Sequence, residues 1–170
     1  MAELKEYIQA LIISIIAAFL IMTFIAQSFV VEGASMEPTL HSGDRVLIEK
    51  ISYKLSPPNR GDIIVLNRPG RPFIKRVIAI EGDTLFISDG EVYLNDQVLD
   101  EPYISEETEG TWGPYIIPEG MVFVMGDNRN NSDDSRRSVG YLDVNDIKGK
   151  AVLKFYPFEE MKVFKSPYGS

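Results

Sequence analysis

The chain has 170 residues, with 17 Lys+Arg against 25 Asp+Glu and a formal net charge of -8. That acidic balance excludes a protein built to coat nucleic acid, which needs a basic face. With no cysteine and a single histidine, His41, disulfide scaffolds, thiolate zinc sites, cysteine nucleophiles and multi-histidine metal centres are excluded, and a Ser-His-Asp triad could draw only on His41.

Between Glu6 and Glu32 no residue is charged, and residues 7–31 are rich in Ile, Leu, Ala and Phe. As one helix this segment would rise roughly 37 Å, enough to cross a hydrocarbon core of about 30 Å. A cleavable leader ending at Ala26-Gln27-Ser28 is the competing reading, but the apolar run exceeds the usual leader core of about 7–15 residues. A helix apolar on all sides would need a large surrounding core in a soluble protein. The expectation is therefore one N-terminal transmembrane helix within a tail-and-anchor unit, residues 1–32, followed by a domain over residues 33–170. Flanking charge, with Lys5 before the segment and Arg45, Lys50 and Lys54 after it, favours a cytoplasmic C-terminal domain, although long domains cross largely regardless of charge.

Beyond Gly33 the pattern changes to short apolar runs separated by Gly, Pro, Asn and Asp. Residues 45–51, 63–66, 73–80, 84–87, 91–94, 121–125 and 151–155 read as strands. Turn signals at Ser56-Pro57-Pro58-Asn59, Arg68-Pro69-Gly70, Glu81-Gly82-Asp83 and Ser88-Asp89-Gly90 punctuate them. Asn95-Asp96 closes a hairpin between 91–94 and 97–99. Residues 101–118 lack periodicity and read as a surface excursion. The fold class is mainly β, an antiparallel sheet domain behind one helix.

Four segments could carry chemistry. Ser35 lies in Gly33-Ala34-Ser35-Met36-Glu37-Pro38-Thr39-Leu40, where small residues allow another chain to approach the backbone. Phe73-Ile74-Lys75-Arg76-Val77-Ile78-Ala79-Ile80 sends Lys75 to one face and Arg76 to the other. A lysine against an apolar face loses hydration and pKa, and a neutral amine can serve a serine nucleophile as its base. At an edge strand both cations would instead reach water. Gly126-Asp127-Asn128-Arg129-Asn130-Asn131-Ser132-Asp133-Asp134-Ser135-Arg136 follows a strand and reads as a hydrogen-bonded loop. It lacks the mid-loop glycine and terminal glutamate of a calcium loop, so no metal site is expected. Arg60-Gly61-Asp62-Ile63-Ile64-Val65 reads as a turn entering a buried strand. His41, in a turn six residues after Ser35, reads as exposed and structural.

In this order the four segments resemble those of the bacterial type I signal peptidases, in the compact form common in Gram-positive bacteria, over nearly the whole chain. The resemblance implies a serine–lysine protease with no cofactor. Ser35 would be the nucleophile and Lys75 the general base. Ser132 would orient the lysine, and Asp127, Asp134 and Arg136 would brace the site. Gly33, Ala34, Met36 and Phe73 are candidates for contact with the substrate, and Phe29, Val30 and Val31 could dip into the membrane interface. Some family members carry a serine where this chain has Gly33, so the Ser35 N–H would share the oxyanion with another donor. The implied substrates are preprotein signal peptides cut after small-x-small sites. The implied setting is the lipid bilayer near the secretion translocon, with the catalytic domain outside the cytoplasmic membrane, against the charge count. A self-cleaving repressor-type serine–lysine protease would need a DNA-binding domain where this chain has its apolar segment. An inactive membrane-anchored binding protein would not need both Ser35 and Lys75.

Overall fold

The structure, a computed structural model, describes residues 2–20, 25–66 and 73–168. Residues 21–24 of the apolar segment and the expected turn Arg68-Pro69-Gly70 lie outside the described residues. Helix α1 spans Ala2–Leu20, and from Leu4 to Phe19 its large apolar side chains are exposed. Among the described residues no helix is long and apolar enough to cross a membrane. Residues 7–31 are therefore not one helix. Their last part is strand β1, Ala26–Val30, paired antiparallel with β2, Arg45–Glu49. An apolar run that pairs in a sheet is indistinguishable by composition from the end of a helix.

After the short helix α2, Ser52–Leu55, come β3, Ile63–Leu66, β4, Phe73–Ile80, β5, Thr84–Ser88, β6, Glu91–Leu94, and β7, Gln97–Val98. The chain continues through β8, Trp112–Ile116, β9, Met121–Met125, β10, Leu142–Asp143, β11, Ile147–Tyr156, and β12, Lys162–Val163. All pairings are antiparallel, as expected. One sheet runs β1-β2-β11-β3-β4-β9-β10, with β12 on β11, and the second runs β7-β6-β5-β8. The hairpin turn is formed as the sequence suggests, with Asn95 and Asp96 at φ 52° and 64°, the left-handed pair that a two-residue loop demands.

Residues 101–118 are not a mere surface excursion. Strand β8 lies within them and forms an edge of the second sheet against β5, despite a Gly113-Pro114 pair that obscures any strand pattern.

Three apolar clusters fill the interior. Val46, Ile48, Val65, Ile74 and Ala151 pack with Val31, Met36 and Leu40. The second sheet covers Ile78, Ala79, Phe123 and Met125. Ile64, Leu66, Val77, Val122 and Val124 form the third cluster, with Phe73 against it. Phe73 and Val77 share a face as period 2 predicts, but the register shifts between Val77 and Ala79, and beyond this bulge the alternation slips.

Phe123 is buried where its ring meets Tyr115 and Tyr141. Phe123→Ala is expected to destabilise the protein by about 3–5 kcal/mol, read as a lower urea midpoint in equilibrium unfolding.

Candidate active site

Strand β4 lies inside the sheet between β3 and β9, so neither of its cations can reach water as it would from an edge. Lys75 sits opposite Ile64 of β3, and Arg76 between Ile63 and Met125. Lys75 is only 3% exposed. Its Nζ lies 2.7 Å from Ser35 Oγ and 2.9 Å from the Ile74 carbonyl oxygen, with the Phe73 ring centroid at 5.2 Å. Burial pushes its pKa down to about 8, against the upward pull of Asp134, Asp133 and Asp127. Roughly a tenth of the amine is then neutral at pH 7, against well under about a hundredth at the ordinary lysine value, and only the neutral form can accept a proton.

Ser35 is held from below by the loop after β9. The Asn128 N–H donates to the Ser35 carbonyl at 3.1 Å, and Asn128 Nδ2 to the Ala34 carbonyl at 3.0 Å. Gly126 lies at the closest approach. A Cβ there would collide with the Ser35 carbonyl oxygen and the Ser132 hydroxyl, so only glycine fits.

The loop is tied down by forked ion pairs. Arg76 donates from Nε and Nη2 to Asp127 at 2.8 and 2.6 Å, and the Thr39 hydroxyl donates to the same carboxylate. Arg136 donates from Nε and Nη2 to Asp134 at 2.9 and 2.8 Å. Asp134 also accepts the Gly126 N–H at 3.0 Å. Burial alone would raise the Asp134 pKa, but the Arg136 fork and charge, with the Gly126 N–H, hold it below the usual carboxylate value. Ser135 returns the loop to β9: its N–H donates to the Val124 carbonyl, and its Oγ accepts the Val124 N–H at 2.9 Å. Arg129 is held by Glu101 and by the Gly126 carbonyl.

The structure thus brings Ser35, Lys75, Asp127, Ser132, Asp134 and Arg136 together. The expected bond from Ser132 to Lys75 is not formed. The buried Ser132 Oγ has no partner in hydrogen-bonding geometry, although it is near enough to Asp134 to help hold that carboxyl's pKa down. Met36 is corrected from a substrate contact to a core residue, 1% exposed and packed with Val31 and Leu40. Its position next to Ser35 in sequence says nothing of which way its side chain turns. Val31 is likewise core and Phe29 packs against the same cluster, while Val30 is exposed. Gly33, at φ 80°, is exposed, and Ala34 and Phe73 are half-buried. His41 is exposed as expected, its N–H bound to Asp44. The sequence reading missed Thr39, Arg76, Asn128, Arg129 and Glu101. A usable signal was two arginines in apolar or strongly hydrogen-bonded settings, each of which needs a buried acid.

Residues 4–156 match the model of the signal peptidase family, peptidase S26. The chain belongs to this family. It is a serine endopeptidase of the S26 type. It is 37% identical to signal peptidase I of Bacillus licheniformis over 172 aligned residues, covering 94% of this chain and 92% of that protein. A probable signal peptidase I-1 of Synechocystis is 42% identical, with 91% of this chain and 83% of that protein covered. A crystal structure of a signal peptidase I from Enterococcus faecalis matches at 32% identity with a TM-score of 0.46, over 56% of this chain and 97% of that one.

In this S26 peptidase Gly126 sets the distance between the loop and Ser35. Gly126→Ala is expected to lower kcat about 100-fold, the scale of a displacement near 1 Å, with a secondary-structure circular dichroism spectrum unchanged.

Proposed function

We propose that the chain removes N-terminal signal peptides from secreted preproteins, with Ser35 as nucleophile and Lys75 as general base. The observation that carries this reading is the 2.7 Å contact of a buried lysine amine with a serine hydroxyl. Neutral Lys75 Nζ takes the Ser35 proton as Oγ attacks the carbonyl carbon of the small residue that ends the signal peptide. The resulting ammonium gives that proton to the departing amine of the mature protein, leaving an ester on Ser35. Water attacks the ester while Lys75 accepts its proton, and Lys75 returns it to Ser35 Oγ as the signal peptide leaves. The unpartnered Ser132 hydroxyl supports its role as acceptor for the Lys75 ammonium during these steps. Asp127, Asp134 and Arg136 keep the loop in place, and Gly33, Ala34 and Phe73 border the substrate.

The tail-and-anchor unit, residues 1–32, holds the enzyme in the lipid bilayer through its apolar stretch, with the N-terminus cytoplasmic and the domain of residues 33–170 outside, close to emerging preproteins at the translocon. Supporting this are the exposed large apolar side chains along α1 from Leu4 to Phe19, which water would not favour.

Ser35→Ala and Lys75→Ala are each expected to reduce preprotein cleavage by at least about 10³-fold, with the protein still accumulating in the membrane fraction. Full cleavage by either variant would refute the dyad.

For the wild type, kcat/KM should rise with pH to a plateau above about 8, because the active form is the neutral amine and its pKa is pushed down to about 8. Below that value the rate should fall tenfold per pH unit as the ammonium accumulates. A profile still climbing near pH 10.5, the ordinary lysine value, would contradict a desolvated base.

A further inference from the structure

Glu101 and Tyr103 lie outside the four segments that carry the family resemblance. The structure nevertheless buries their polar ends against the loop of the site. Arg129 forks onto Glu101, Nη1 to Oε2 and Nη2 to Oε1, both at 2.6 Å. The side chains are 0% and 5% exposed respectively. The Tyr103 hydroxyl donates to Glu101 Oε1 at 2.7 Å and lies 2.6 Å from the Tyr168 hydroxyl. The Tyr103 ring faces two guanidinium groups, with Arg76 Cζ 3.9 Å and Arg129 Cζ 5.9 Å from its centroid.

These two arginines are the ones that hold the loop. Arg76 forks onto Asp127, next to the Asn128 that carries the Ser35 and Ala34 carbonyls. Arg129 Nε donates to the Gly126 carbonyl at 3.1 Å, and the Arg129 carbonyl accepts Arg136 Nη2. We propose that Glu101 and Tyr103 are positioning residues of the hydrolytic site, a clasp that holds Arg76 and Arg129 and through them sets residues 126–136 under Ser35 and Lys75.

Charge accounting supports the clasp. Without Glu101, the protein acceptors left to the Arg129 side chain are neutral, the Gly126 carbonyl and the Thr108 hydroxyl. A buried guanidinium without a carboxylate seeks another one. Asp127 already acts on Arg129 through its charge, so Arg129 would compete with Arg76 and Thr39 for Asp127. The disturbance would then pass to Asn128 and the Ser35 backbone. Tyr103 keeps the two guanidinium groups apart by offering each a ring to face.

The inference rests on the Ser35–Lys75 reading, and its test separates the two. Full-length enzyme in detergent micelles is assayed on a signal-sequence peptide across a pH series. Glu101→Gln is expected to lower kcat about 10- to 100-fold, the cost of a small displacement at the reacting atoms, with KM within about twofold. Glu106→Gln, the same charge change at an exposed position, should leave both unchanged. Tyr103→Phe, which loses the bonds to Glu101 and Tyr168 but keeps the ring, should give a smaller fall in kcat. If Glu101→Gln does not fold, the double variant Glu101→Leu with Arg129→Met leaves no unpaired charge and is expected to be folded but similarly slow. Wild-type kcat in either folded variant overturns the clasp. Cleavage by Ser35→Ala overturns the serine reading instead.

Discussion

The proposed dyad depends on easing the proton from one lysine amine that lies beside a serine hydroxyl. Burial in β4 supplies the push, and three carboxylates nearby oppose it. One unit charge at 4 Å and an effective dielectric of about 20 is worth about 4 kcal/mol, roughly 3 pKa units. A single carboxylate left unpaired at that range could restore the ordinary lysine pKa. The structure prevents this by pairing its buried acids. Asp127 has Arg76, Asp134 has Arg136, and Glu101 has Arg129. Asp133 is turned to the exposed Ser138. Desolvation of Lys75 then outweighs what remains of the acids' field.

The same pairs build the loop. Residues 126–136 contain only one short helical turn, Arg129–Asn131, so side chains supply the organisation that a ladder supplies elsewhere. Forked arginine contacts suit this task, because two parallel bonds fix orientation as well as distance. Lysine would contribute the charge without the direction. Gly126 completes the arrangement by leaving room for Ser35 and Ser132 on the same side.

Strands with clean apolar runs were readable in the sequence: β3, β4, β6 and β9 begin and end where composition suggests. Strands β1 and β8 were not, since one merges with an apolar segment and the other contains Gly113-Pro114. Ser35 and Lys75 were singled out through the family resemblance of their segments, and the fold sets the two side chains 2.7 Å apart. Glu101 could not be singled out. Its acid character matches its exposed neighbours Glu106, Glu107 and Glu109, and only the tertiary fold sets it opposite an arginine 28 positions away. Met36 failed for the converse reason: proximity in sequence to a nucleophile does not decide burial.

The path from Ile25 to Ser35 has a mechanical consequence in the proposed membrane setting. β1 pairs with β2 along its length. The Ile25 carbonyl accepts the Lys50 N–H at one end, while Val31 exchanges bonds with Asp44 and Gly43 at the other. Five strand residues span about 17 Å, so the stretch from Ile25 to Val31 is a stiff spacer rather than a slack linker. A substrate held in the same bilayer by its own apolar segment would meet Ser35 at a nearly constant distance from that segment. Cleavage position would then be set by two lengths, the spacer in the enzyme and the stretch between apolar core and small-x-small site in the substrate. A preference for small side chains would then need only to refine a choice that geometry had narrowed.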